Sequence, residues 1–398
     1  MSQKYIFVTI LGASLAVACG DDDTTGTVPG GDAEAPDAGP DSPDGDTETP
    51  DADPTADDTA TVVALGASEG VGITSTIGIR SLYVRQDVAQ GVADGDPTVR
   101  HVGDEIYVLN QSQDNVTILD EDLELVNQFS LDGYRNPHDV VVHGDSIYVS
   151  AYDSEGVVVL DRTDPSADAE LIDLSEIDGE DNIPDCSAMH LVGDTLLVAC
   201  QRLERDPDDE NVCCEPRGPG VIAMIDTDDN SFETLEMDAE NPFSRFVATP
   251  DDGPLGGDLL ISSVEGFDGT GCVERVSLEP EPTSECFLDH GDAGGWVGSL
   301  AVDGSTVWLV TAGLDGNAVV PYDTAAEDYG EPLTPDDQSP TELAICPDGE
   351  IVVADKPFEE AQGIRLYADG EEITEAPLDI GAEPVFANGL ACFEAIGG

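Results

Sequence analysis

Beyond residue 60 the chain alternates between short apolar runs and polar punctuation. Asp104-Glu105 leads into IYVLN, then a polar gap, then NVTILD. Asp145-Ser146 leads into IYVSA, a gap, and GVVVLD; Asp194-Thr195 leads into LLVAC and, after a long insertion, GVIAMID. Looser copies follow as GGDLLISS, GSTVWLVT and DGEIVVAD. The runs are β-branched and closed by Gly, Asp, Asn or Pro, so they predict strands joined by tight turns. Units of several strands recurring every roughly forty to sixty residues predict a propeller or similar array.

The order inside a unit is clearest in PHDVVVH, SIYVSA, GVVVLD and AELIDL, which predict a four-stranded antiparallel blade. First strands are expected at PTVRHV (97–102), PHDVVVH (137–143), CSAMHLV (186–192), FSRFVAT (243–249), VGSLAVD (297–303), PTELAIC (340–346) and VFANGLACF (385–393). The last of these has no strands after it. At the other end ATVVALGA, STIGIRSLYV and the stretch near Asp87 to Val92 supply second, third and fourth strands without a first. The expected fold is therefore all-β: a seven-bladed β-propeller of four-stranded antiparallel blades, the last blade closed by both chain ends. Such closure leaves no free sheet edge.

IYVLNQSQDNVTILD (106–120) resembles the YVTN-type propeller repeat, with Asn110 and Asp120 at the repeat's Asn and Asp. IYVSAYDSEGVVVLD (147–161) keeps the rhythm but has Ala151 where Asn110 stands. The resemblance implies that first strands line a central channel. It carries little about activity, since propellers host many. On those strands and their openings stand Arg100, His138, Asp139, Ser187, Arg245, Trp296, Glu342 beside Thr341, and Asn388. Seven copies of one position carry unlike side chains, as a binding mouth would, so these residues are the ligand-binding candidates.

Catalytic arrangements are sparse. His138 and Asp139 are neighbours on a strand and point to opposite faces, so they do not form a base-and-orienter pair. Gly66-Ala67-Ser68-Glu69-Gly70 spells Gly-x-Ser-x-Gly, but it lies between two predicted strands and opens no helix, so it is no nucleophile elbow. The enzymatic alternative is a metal-dependent lactonase-like hydrolase or lyase. Asp139, Glu342 and Asn388 would offer oxygens to Ca²⁺ or Mg²⁺, with His138 as base. Asp226-Thr227-Asp228-Asp229-Asn230 has calcium-loop character but Ser231 at the sixth position, and reads as a turn. Trp296, after Gly294-Gly295, is either a stacking platform or core. No cofactor is expected for a binding module.

Address comes from the N-terminus. MSQKYIFVTILGASLAVAC (1–19) has Lys4 and an apolar run too short to span a membrane. Leu15-Ala16-Val17-Ala18-Cys19 resembles the lipobox of bacterial lipoproteins, with Leu15 one place further from the cysteine than usual. The resemblance implies lipidation at Cys19. Residues 20–60 are Asp, Glu, Pro, Gly, Thr and Ala with almost nothing to bury, which predicts an extended, disordered acidic linker. The propeller domain is then 61–398. A lipid anchor in the outer membrane is the expected localisation; free secretion is the alternative.

Cys19 aside, eight cysteines remain, an even number in an exported chain. Cys272 with Cys286 would staple a hairpin, and Cys346 and Cys392 lie on equivalent strands. Cys186, Cys200, Cys213 and Cys214 leave their connectivity open. The absence of any C-x-x-C pair argues against zinc. The insertion 201–220, with its Cys213-Cys214 pair, is either a partner-touching loop or a stapled decoration.

Charge removes further classes. The net charge is −73, with two lysines, Lys4 and Lys356. That field repels phosphate backbones, so no nucleic-acid partner is expected. It also opposes compaction unless counterions screen it, which predicts a protein adapted to salt. The combined expectation is a monomeric envelope module that binds or scaffolds a protein, peptide or glycan.

Overall fold

The computed structural model describes residues 58–68, 70–131, 133–205, 213–265, 270–313, 316–358 and 360–394. Cys19, the expected signal segment, most of the expected acidic linker, and the side chains of Cys213 and Cys214 lie outside the described residues.

The strands form seven blades. Four-stranded antiparallel sheets run through 97–130, 137–173, 186–240, 247–289, 296–329 and 340–372, numbered here as blades 1 to 6. Blade 7 joins the two chain ends. Ala60–Ser68 pairs on one side with Val71–Gly78, which pairs with Val84–Arg85. On its other side it takes the C-terminal Leu390–Glu394, with Ala60 opposite Glu394 and Ala64 opposite Leu390.

Blade faces stack on one another, so the middle strands are buried on both sides. That is why IYVLN is continuously apolar instead of alternating: every residue of Ile106–Asn110 is buried. Outer strands such as Leu125–Ser130 are mostly exposed. Seven apolar clusters fill the interfaces between neighbouring blades. They include Val63, Leu65, Val99 and Ile106 between blades 7 and 1, and Ala60, Val62, Val352 and Ile364 between blades 6 and 7. An apolar core at every interface closes the ring.

Four predicted strands differ. The 243–249 run contributes only Val247–Ala248 to blade 4. Pro242 lacks an N–H, and the Ser244 hydroxyl takes the ladder's place by accepting from the Ser262 N–H at 2.8 Å. STIGIRSLYV is broken in the middle: Asp58 accepts the Arg80 and Ser81 N–H groups at 2.7 Å, folding a turn between the third and fourth strands. The stretch near Asp87 to Val92 is therefore loop, and the outer strand is Val84–Arg85. The C-terminal strand begins only at Leu390, because Asn388 adopts φ +60°.

Among the described residues three disulfides are seen. Cys186–Cys200 bridges the first two strands of blade 3, Cys272–Cys286 the last two of blade 4, and Cys346–Cys392 ties blade 6 to the C-terminal strand of blade 7. They fit a folded domain outside the reducing cytoplasm.

Candidate functional site

Inner strands converge on the propeller axis, and charge collects there. Arg100 on blade 1 grips Asp139 on blade 2 through Nε to Oδ1 and Nη2 to Oδ2, both at 2.6 Å. Asp139 is 1% exposed and also accepts the Val140 and Met189 N–H groups at 2.9 Å. Burial opposes its charge, but the Arg100 guanidinium outweighs that and holds the carboxyl below its ordinary range. The local sequence explains the geometry: a bulge between Pro137 and Asp139 turns the aspartate into the channel.

Blade 4 adds Arg245, from the irregular segment that replaces a full inner strand. The residue is partly buried, yet its Nε and Nη2 are sealed from solvent and bonded to no protein group. Burial and the neighbouring Arg100 charge pull this guanidinium down to about 9, while Asp139 and Glu342 act to support its charge. Glu342, on blade 6, is 5% exposed and accepts the Gly389 and Leu390 N–H groups at 2.8 and 3.2 Å. Burial pushes it up to about 7, against the opposing pull of Arg245 and these backbone donors. Four blades thus bring two arginines and two carboxyls within electrostatic reach of one another.

The other candidates sit apart from this cluster in role. His138 stacks on Tyr152 at 4.4 Å. The Ser187 carbonyl accepts the Ser150 hydroxyl at 2.5 Å, while its own buried Oγ bonds to no protein group. Trp296 meets Phe243 edge-on at 5.3 Å between blades 4 and 5, and is half-buried. Asn388 acts through its backbone: its carbonyl accepts the Val99 N–H at 2.8 Å and its N–H supports Glu342.

That arrangement does not suit the Ca²⁺ or Mg²⁺ set of Asp139, Glu342 and Asn388. Both Asp139 oxygens already take Arg100 and backbone donors, both Glu342 oxygens take backbone donors, and two guanidinium groups stand where a cation would go. Among the described residues no group of three His, Cys, Asp or Glu side chains is placed to hold a metal. At Asp226–Asn230, Asp226 accepts the Asp228 N–H and Asp229 accepts the Ser231 N–H, both at 2.9 Å, so the segment is a self-bonded turn.

One member of the site was not among the candidates. His190, on the inner strand of blade 3, lies beside Arg100 and Asp139, and burial followed by the Arg100 charge lowers its proton affinity. A sequence signal existed: of five histidines, four (His101, His138, His143 and His190) fall on the first strands of blades 1 to 3. Away from the axis, a surface recess of about 470 Å³ is lined by residues that include Asp104, Glu105, Tyr107, Asp120 and Arg162, and its one cation, Arg162, is paired to Glu105 at 2.8 Å.

No family model matches the sequence, and no curated protein matches it. Solved structures do. Apo AztD from Citrobacter koseri superposes with a TM-score of 0.50 at 10% identity, over 85% of this chain and 99% of that one. Virginiamycin B lyase from Staphylococcus aureus gives 0.51 at 11% identity, over 72% of this chain and 85% of that one. Identities this low speak to architecture alone. Together with the seven blades and their closed ring of cores, they make this chain a seven-bladed β-propeller.

Proposed function

We propose that this chain is a ligand-binding module of the cell envelope, carried as a lipoprotein on an acidic stalk, with its binding site in the central channel. The observation that supports the channel is the convergence of Arg100, Asp139, Arg245 and Glu342 from four separate blades. The chain is acidic throughout, with 13 basic residues against 86 acidic ones. Placing two of those 13 together at the axis concentrates the opposite sign where a ligand enters. The disulfides fit an oxidising compartment. Lipidation at Cys19 would hold the domain at the outer membrane, and the YVTN-type repeats are a binding scaffold under this reading.

A thermal-shift panel on the full chain tests the site. The panel holds small carboxylates, inorganic phosphate, neutral sugars, short peptides and lactones at constant ionic strength. Each stabilising compound is re-measured in the paired variant Arg100→Gln with Asp139→Asn. Loss of its effect supports channel binding; effects that survive the paired change overturn it. Turnover of a lactone, lost in the same variant, would instead establish an enzyme. Release of the protein from membranes by Cys19→Ala tests the anchor, and membrane retention of that variant contradicts it.

A further inference from the structure

Resting on the channel reading, we propose that the ligand presents an oxyanion, a carboxylate or phosphate group, which Arg245 takes through its Nε–H and Nη2–H edge beside Arg100. Those two nitrogens form the edge that pairs bidentately with an oxyanion. On Arg100 the same edge is already committed to Asp139, with both contacts at 2.6 Å. On Arg245 it bonds to no protein group, although both nitrogens are out of solvent.

Buried N–H groups without hydrogen bonds are costly, since their hydration is lost and nothing replaces it. Asp139 and Glu342 lend only through-space support. Glu342 spends its oxygens on the Gly389 and Leu390 N–H groups. A position selected for packing alone would carry Leu or Met. The segment around it is also irregular: only Val247–Ala248 of this inner strand join the sheet. On blade 3, between the blades of Asp139 and Arg245, the buried Ser187 Oγ is a further uncommitted hydroxyl. An oxyanion would satisfy the two Arg245 nitrogens that bond to no protein group.

The test uses the full chain in a fixed NaCl background, so that general screening of the acidic surface is constant. Sodium succinate and inorganic phosphate are titrated separately by calorimetry, with sodium perchlorate as a control for ionic strength. Succinate alone binding assigns a carboxylate ligand, phosphate alone a phosphate ligand. Either way the stoichiometry is one per chain, and Arg245→Met weakens binding roughly ten- to hundredfold, the loss of one charge-assisted pair. Arg80→Gln, on the surface, leaves binding unchanged. Arg245→Met should also melt higher than wild type without added anion, because two buried N–H groups without partners are gone. A lower melting point with no saturable anion binding in the wild type overturns the proposal and makes Arg245 structural. If uncharged compounds of the wider panel then still bind through Arg100 and Asp139, the channel reading stands without the anion. If nothing binds there, both fall.

Discussion

Asp139 and Glu342 are two buried carboxyls of one channel with opposite titration behaviour. Asp139 has its proton affinity lowered, chiefly by Arg100 against burial, so its contribution to stability is complete above the ordinary aspartate value of 3.8 and is lost as pH falls through its lower folded value. Glu342 is raised from 4.5 to about 7. It favours folding in the protonated form, so its contribution is full below 4.5 and disappears as pH rises past about 7. Between pH 5 and 8, urea midpoints of the wild type should therefore fall relative to those of Glu342→Gln. The differential is on the order of 3 kcal/mol, since each tenfold change in proton affinity is worth about 1.4 kcal/mol. Parallel curves for the two proteins would show that Glu342 ionises normally. Asn110 offers a residue-scale test of the repeat itself. It is 1% exposed, donates to the Val92 carbonyl and Asn115 Oδ1 at 2.8 Å, and accepts the Asp94 N–H at 3.0 Å. Asn110→Ala strands the Asp94 N–H and the Val92 carbonyl, and should cost about 2–3 kcal/mol in chemical denaturation. A cost near zero would mean that the repeat's asparagine is decorative.

At the scale of elements, the closing blade is the vulnerable one. Leu390–Glu394 is its inner strand, and beyond five paired residues its covalent hold is the Cys346–Cys392 bond. Replacing both cysteines with alanine should cost about 2–4 kcal/mol. Amide exchange should rise first in 390–394 and 60–64, the strands that meet there. Exchange rising evenly around the ring would contradict closure at this blade. Much of this element is legible in the sequence. A first strand missing at one chain end and left over at the other can be read without coordinates. So can the aspartate that ends the third strand of blades 1, 2 and 5: Asp120, Asp161 and Asp323 each accept an N–H from the following turn at 2.8 Å. What periodicity does not reveal is where a strand yields to side-chain bonding. Ser244 and Asp58 each replace a ladder bond with a side-chain one, and no apolar pattern records that. For the same reason the candidate site is only half legible. Arg100, Asp139 and Glu342 stand on the expected strands and Arg245 in an expected strand that is irregular there, but the use of Asn388 through its backbone, and the approach of His190, depend on how blades face one another.

Across the whole molecule, charge sets the conditions under which the ring is stable. A net charge of −73 is borne by a chain with 13 basic residues, several of them paired: Arg217 with Asp178, Glu180 and Asp181, and Arg365 with Asp355 and Glu372. The remaining carboxylates repel one another. Raising NaCl from about 0.1 M to about 1 M shortens the screening length from about 10 Å to about 3 Å, so the melting temperature should climb steadily over that range. A flat profile would mean that the carboxylates are too well spaced to matter and would remove the case for salt adaptation. Against this acidic background the two arginines at the axis are an exception, and on them the functional account depends. Its most direct test is an anomalous-scattering experiment on crystals of the chain soaked in sodium selenate, a heavy oxyanion. The account predicts a seven-bladed ring closed by both chain ends, with one selenium peak in the channel and its oxygens bonded to Arg245 Nε and Nη2. A channel without selenium, with Arg245 bonded to a protein acceptor, would contradict it.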